Sequence, residues 1–569
     1  MHKDRTTTSA HSAPKLKTFK EKKLYIKRLV IFLNNGEGIT MAKTSVKVQK
    51  TSKGKGYPLL LQQRMNVAVT VFVVFMLSAY NAIVTKGYMN YEGVRYMAFR
   101  LGLLLALLAL LVIWIVYRNT QPKWAIKSIQ ECVGNVKKWE WALLLYLAVA
   151  FLSTLASEYQ HYAFIGTSTR NEGFLMLLCY GLTFFVISRF YKPKKWAFYV
   201  FTITCAILAS YGILQYFGID PLGLGFRDYT MKYYIAFYST LSNTNAASAL
   251  LTLCLMISAV LFIQGEEDKK SWIFFFCSLV VWTVLCMGET DSGLVGLMGA
   301  AVLTFPLIVK NNKTLHRGLL FLGCVALIRW MYHAIKNTVL QQETGGLASQ
   351  IKSPFLWAGI VCIGAAILLY FSRNKMQKNI FGKNWRKIWW IAMAVCMVLG
   401  VILLPILANY TSNVAINEVA SILRGNIQPE MGSYRIYVWE KALEIYKSYP
   451  ILGVGPDGFY PTFINLYQEE SMAFSHMVFD KVHSEYLQTL VDMGPIALAA
   501  LLGFYVLLLK NAWKYKEDPL VLAVATALIC FMIQAVFNFS QPISTPVVWV
   551  MWGILGALVL GKSRAREQL

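Results

Sequence analysis

Seven histidines occur in 569 residues, and one, His483, stands in KVHSEYLQTLVDMG, where a charged stretch gives way to an apolar run. Imidazole is the side chain that exchanges protons most readily near neutral pH. Asp480 and Glu485 flank it, and either could orient the ring or raise its basicity, as a general base acting on a hydroxyl requires. A purely structural role also fits, because Ser484 can cap the helix that follows. His476 is the weaker candidate. Upstream, Arg435 stands near the start of GSYRIYVWEKALEIYKSYP. A planar fork of donors suits a diphosphate, although an arginine in such a place is more often a solvated charge. Between the two lies GVGPDG, residues 453–458, a literal match to the dinucleotide-binding glycine pattern. That pattern needs a preceding strand and a following helix in a βαβ unit, and neither is expected here. GVGPDG reads as a tight turn.

The elements that must position these residues follow from composition. Hydrophobic residues make up 56% of the chain and charged residues 15%, more apolar side chain than a soluble fold of this length can hide. Apolar runs of about 18–23 residues recur, long enough to cross the roughly 30 Å hydrocarbon core as helices. About fourteen spans are expected, near 65–84, 99–117, 139–157, 173–190, 196–218, 244–264, 272–288, 292–309, 317–336, 355–372, 388–407, 493–509, 518–538 and 543–561. The fold class is an all-α integral membrane protein. Its expected parts are a basic cytoplasmic tail (1–58), eleven membrane helices (59–407), a large external loop (408–482), three more helices (483–561) and a basic cytoplasmic tail (562–569).

Sidedness comes from charge. Lys and Arg number 55 against 29 Asp and Glu. About 26 of the basic residues fall in alternate loops such as YRNTQPKWAIK and SRNKMQKNIFGKNWRK, against about a dozen in the others, which places both termini inside. The excess therefore marks cytoplasmic loops and not a nucleic-acid partner, and the 16 Trp and 31 Tyr suit interfacial belts. The ten cysteines are scattered, with no CxxC pair, and read as packing residues. The N-terminal stretch shows no signal peptide with a cleavage site. NNGEGITM suggests that translation starts at Met41, which a native peptide from residues 1–20 in mass spectrometry would disprove.

Ionisable residues near the membrane but outside the inner loops are Arg100, Arg170, Glu172, Asp220, Glu289, Asp291, Arg329, His333, Arg435 and His483, all at outer boundaries. Any single one could snorkel or cap a helix end. A one-sided layer of them points to a polar cleft opening outward. Within the long loop, Ile436, Trp439, Leu443 and Ile445 give helical spacing that stops before Pro450, as an amphipathic helix lying on the membrane or capping the cleft would.

The run Arg435, Trp439, Ala442-Leu443, Pro450, Gly453-Val-Gly455, Phe459, then His483-Ser-Glu-Tyr-Leu-Gln and Gly494, resembles the O-antigen ligase/polymerase superfamily of bacterial GT-C-type membrane glycosyltransferases. STRNEGFLMLLCYG, YFGIDPLG and LSNTNAASALL are similar to its upstream segments, so the likeness spans residues 160–545. The resemblance implies transfer of a glycan from a polyprenyl-diphosphate carrier such as undecaprenyl diphosphate to a glycan, lipid or wall-polymer acceptor, at the outer face of the cell membrane. Neither metal nor nucleotide cofactor is implied. It gives His483 the part of acceptor-activating base and, by motif match, makes Arg435 and Arg170 the arginines that hold the diphosphate; Glu172 and Arg329 complete the substrate-binding candidates. One departure is ETDSGLVG, where many relatives carry Ser-Arg-Gly near residue 292; Arg329 or Arg227 are the candidates to substitute. A diphosphate leaving group needs cations but no protonation, whereas the attacking hydroxyl needs a base, so one direct displacement should invert the anomeric centre. The rival class is a transporter or flippase of lipid-linked oligosaccharide, which should show internal repeats and charged or broken helices at mid-membrane. A membrane scaffold would explain the spans but not the boundary charges.

Overall fold

A computed structural model describes residues 56–84, 91–120, 134–167, 170–224, 239–241, 244–265, 269–338, 352–372, 384–410 and 414–567, with a few isolated positions between them. The expected start at Met41, most of the basic N-terminal tail and Arg227 lie outside these residues. Among the described residues the protein is helical without strands, an all-α integral membrane protein. Twelve helices are long and apolar enough to cross a membrane, and two shorter apolar ones, Phe174–Phe190 and Pro519–Gln534, occupy the remaining two expected spans.

In chain order the helices are α1 (Gly56–Leu77), α2 (Tyr91–Thr120), α3 (Lys138–Ala156), α4 (Gln160–Ile165), α5 (Phe174–Phe190), α6 (Lys195–Tyr216), α7 (Thr244–Ile263), α8 (Ser271–Gly288) and α9 (Asp291–Ile308). They continue with α10 (Asn312–Thr338), α11 (Pro354–Ser372), α12 (Trp385–Leu407), α13 (Val414–Leu423), α14 (Met431–Ser448), α15 (Phe459–Ser475), α16 (Glu485–Ala512), α17 (Pro519–Gln534) and α18 (Thr545–Glu567). An apolar helix with no polar stripe belongs in the middle of a bundle, and α7 is buried on every side. Its small residues permit close approach. Ser258 meets Thr202 of α6 at 2.9 Å, and Thr252 meets Gln534 of α17 at 3.2 Å. At the other extreme α12 is peripheral and exposes apolar side chains along its length, as a lipid-facing helix does.

One group of ion pairs lies at the end of the bundle where α3 begins and α5 ends. Arg189 of α5 grips both carboxylate oxygens of Glu140 of α3, and the pair is almost wholly buried. Lys310 and Arg386 converge on Glu517, while Lys562 pairs with Asp518 at 2.6 Å. The opposite end carries the segment 408–484, whose helices build a separate small core. Tyr437, Val438, Ala442 and Ile445 of α14 pack with Val454, Phe459, Phe463, Phe479, Val482 and Val491. The buried face of α14 is therefore offset from the one expected from Ile436, Trp439, Leu443 and Ile445, and Leu443 is exposed. The partner of α14 is protein, supplied by α15 and by the segment before α16, so this core and not a membrane surface selects the stripe. As expected, the helix stops short of Pro450.

The last feature that matters for the site is a break in α16. Gly494 adopts φ 78°, ψ 178°, and Pro495 follows. A Cβ at Gly494 would lie 1.9 Å from the Ile451 carbonyl oxygen, so only glycine lets the 449–455 turn press against the break. The helix thus begins as a separate short arm, Glu485–Met493, before turning into the membrane span.

Candidate functional site

His483 precedes that arm. Ser484 is its N-cap and accepts from the Leu487 amide at 3.5 Å, so the capping role belongs to the serine and leaves the imidazole available. Backbone on both sides is fixed. The Val482 amide donates to Gln488 Oε1 at 2.8 Å, and its carbonyl accepts from Trp439 Nε1 at 3.0 Å. The Glu485 amide donates to the Ala535 and Asn538 carbonyls. Between these anchors His483 itself is left-handed, at φ 58°. Eight non-glycine residues have positive φ among the described residues, and Asn171, Ser433, Tyr434, Asp457 and His483 all border this region. Such conformations concentrate where function needs a geometry that local preference opposes.

Arg170 and Arg435 both reach this neighbourhood. Arg170 Nε donates to Asp480 Oδ2 at 2.7 Å, and its guanidinium lies over the Phe539 ring at 5.1 Å. The His483 ring meets the same phenyl edge-on, at 5.1 Å and 82°. Arg435 follows a left-handed turn, Gly432–Tyr434, and its Nη1 donates to the Gly432 carbonyl at 2.6 Å. Its Nε is buried without a hydrogen-bond partner among the described residues. Burial, then the Arg435 charge and lastly Arg170 depress the His483 pKa to about 4, while Asp480 opposes them. The imidazole is held neutral. Among the described residues no hydrogen bond ties it to Asp480, which is engaged by Arg170, or to Glu485, whose Oε2 accepts from the Ser540 amide at 2.7 Å.

The remaining candidates lie elsewhere. Glu172 is buried near this group, accepting from the Tyr180 hydroxyl at 2.8 Å, with its second oxygen unpartnered among the described residues. Burial drives its pKa well up, against the opposing pull of Lys481 and Tyr180. It lines a small cavity with Asp457, Lys481, Glu485, Gln488 and Asp492 among others. Arg329 belongs to a different cluster: it donates to the Cys286 carbonyl at 3.2 Å and lies over Tyr332, whose hydroxyl donates to Glu289. Nearer Arg435 it is Asp291, from the ETDSG stretch, that faces the guanidinium electrostatically. His476 ends α15, exposed and left-handed. Among the described residues no three of His, Cys, Asp and Glu converge as a metal-ligand set.

Sequence reasoning passed over Asp457, Lys481, Gln488, Asp492 and Phe539. GVGPDG is indeed a turn, but one whose acid points inward: the Val454 and Gly455 amides donate to the Val491 and Asp492 carbonyls, and Asp457 is 2% exposed. One available signal was Asp492, a carboxylate inside the apolar run YLQTLVDMG; a charge there needs a partner.

Residues 344–502, which include Arg435, the GVGPDG turn and His483, match the family model described as O-antigen ligase. Over this stretch the chain is similar to the O-antigen ligase superfamily. The match includes α13, α14, α15 and the arm of α16, the elements that hold the imidazole in place. A protein of Haemophilus influenzae, described as uncharacterized, is 24% identical over 363 residues, covering 58% of this chain and 77% of its own length.

Proposed function

We propose that this protein is a metal-independent, inverting glycosyltransferase of surface-polysaccharide synthesis. It takes a glycan from a polyprenyl-diphosphate carrier and joins it to an acceptor hydroxyl on the outer face of the bacterial cell membrane, with both termini cytoplasmic. One observation carries the reading: a neutral imidazole, His483, held by strained backbone within electrostatic reach of two guanidinium groups at the loop end of a membrane bundle.

His483 takes the acceptor proton as the hydroxyl oxygen bonds to the anomeric carbon and the bond from that carbon to the diphosphate oxygen breaks. Arg435 and Arg170 receive the charge that develops on the diphosphate. The buried Nε of Arg435, unpartnered among the described residues, is a donor that a phosphate oxygen would satisfy. A bound diphosphate also offsets the two cations that keep His483 weakly basic, so donor binding raises the basicity of the ring. Glu172 supports the segment from behind, through Tyr180. Arg329, in its separate cluster, would meet only a more distant part of a substrate.

The test is complementation of a deletion strain with wild type or His483→Ala at matched membrane levels, profiling surface and carrier-linked glycan together. Wild type alone should restore the glycan. Single repeats accumulating on the carrier would identify a polymerase; full-length chains stranded there would identify a ligase. An alanine variant that works as well as wild type would overturn the base and return the transporter reading.

A further inference from the structure

The acid of GVGPDG holds together the two segments that bear the proposed chemistry. Asp457 Oδ1 accepts from Lys481 Nζ at 2.6 Å. Its Oδ2 accepts from the Thr167 amide at 2.6 Å, the Thr167 hydroxyl at 2.9 Å and the Glu172 amide at 3.3 Å. Its own amide donates to Asp492 Oδ2 at 3.1 Å, and Gln488 Nε2 donates to that same oxygen at 2.9 Å. Asp457 and the Lys481 side chain are both almost fully buried. One carboxylate thus fastens the stretch 167–172, which bears Arg170, to the stretch 481–492, which bears His483.

A buried ion pair is a poor device for stability, because the cost of desolvating two charges roughly cancels their attraction. What such a pair supplies is fixed geometry. Here that geometry is needed, since Asn171, Asp457 and His483 are all left-handed and each must be held so by its surroundings. Lys481 is favoured as an ammonium: burial works against the charge, but Asp457, with Asp492 and Glu172 behind it, more than offsets burial and raises its pKa.

We propose that Asp457 and Lys481 are positioning residues that set the distance and orientation of His483 relative to Arg170. Resting on the function proposed above, the pair fixes where the base stands with respect to the cation that receives the diphosphate. Neither side chain touches substrate; they act through backbone two or three residues away.

The experiment uses full-length protein in membranes and after purification. Asp457→Asn keeps size and tolerance of the left-handed backbone, but sets an amide N–H donor against Lys481 or Thr167. Lys481→Met keeps the stem without the charge, and Lys481→Arg restores the charge. Three readouts are taken: surface glycan in the deletion strain, melting temperature, and carbethoxylation of His483 by diethylpyrocarbonate across pH, followed by mass spectrometry. The last reports the neutral ring and its exposure without any turnover. Asp457→Asn and Lys481→Met should lower glycan output on the order of 10- to 100-fold. They should also speed His483 modification and move its pH midpoint upward, with Lys481→Arg recovering part of each effect. Full glycan output, or a loss of output with the His483 modification profile unchanged, would overturn the proposal. Should Asp457→Asn fail to accumulate, Thr167→Val carries the test, since it removes one hydrogen bond and no charge; an unchanged profile and output there would likewise overturn it. A failure of the glycosyltransferase reading would show instead as full activity of His483→Ala, whatever the modification profile does.

Discussion

Replacing Phe539 by alanine should move the protonation of His483 into the working pH range. The phenyl ring covers the imidazole edge-on at 5.1 Å and supports the Arg170 guanidinium at the same distance. Burial is the first cause of a His483 pKa near 4, against an ordinary value of 6.5. At pH 5.5 a group of pKa 4 is about 97% neutral, whereas one of pKa 6.5 is about 10% neutral. Full hydration of the ring would therefore cost about tenfold in kcat/KM at pH 5.5, and nothing at pH 8. Losing the ring under Arg170 adds a pH-independent factor of roughly two to five, from about 0.5–1 kcal/mol of cation–π attraction. The assay is the pH profile of kcat/KM with purified protein, a polyprenyl-diphosphate-linked glycan and its acceptor, because that profile reports the free protein. Wild type should keep its acid limb near pH 4, and the Phe539→Ala limb should rise toward 6.5. The kcat limb of wild type should lie above its kcat/KM limb, since the bound diphosphate offsets Arg435 and Arg170. A wild-type limb already at 6.5, or a variant whose loss is the same at every pH, would refute the burial argument.

Other consequences concern stability and can be read without substrate. Because the folded pKa of His483 lies below its unfolded value, the neutral ring's contribution is complete above pH 6.5 and is lost as pH falls toward 4; at most about 3 kcal/mol is at stake. His483→Gln should remove that part of the acid sensitivity in a thermal-melting series from pH 7 to 4.5, and an unchanged pH slope would contradict it. Arg189→Ala strands Glu140 in the interior and should cost about 3–5 kcal/mol, seen as low membrane levels, while Arg189→Met with Glu140→Leu should recover most of the loss. Equal levels of the single and double variants would count against a buried pair. Gly494→Ala has no room beside the Ile451 carbonyl and reverses a left-handed backbone preference, so it should lower both melting temperature and glycan output. Wild-type behaviour of that variant would mean that the break in α16 is not held against the 449–455 turn.

Hydropathy, charge and local capping determined much of this protein. Lipid solvates apolar runs wherever they occur, so all fourteen expected spans coincide with helices, and their ends collect the boundary charges. For the candidate site, the sequence marks residue types and the structure shows which of them come together. Ser484 caps α16 as its position before that helix foretells, and Arg170, Arg435 and His483 are marked by type and place, with Arg170 and Arg435 close enough to act on the ring. Tertiary structure alone decided which of these residues meet. Nothing local distinguishes Arg170, which reaches Asp480 across 310 positions of sequence, from Arg329, which turns to the Cys286 carbonyl and Tyr332 instead. Nor does a helical period say whether α14 turns its apolar stripe to lipid or to protein; Phe459, Phe463 and Phe479 settle that by being there. The inward turn of Asp457 lay deepest. A carboxylate is buried only where donors already wait, and its donors come from Thr167, Glu172 and Lys481, brought together by the path of the chain and not by any motif within it.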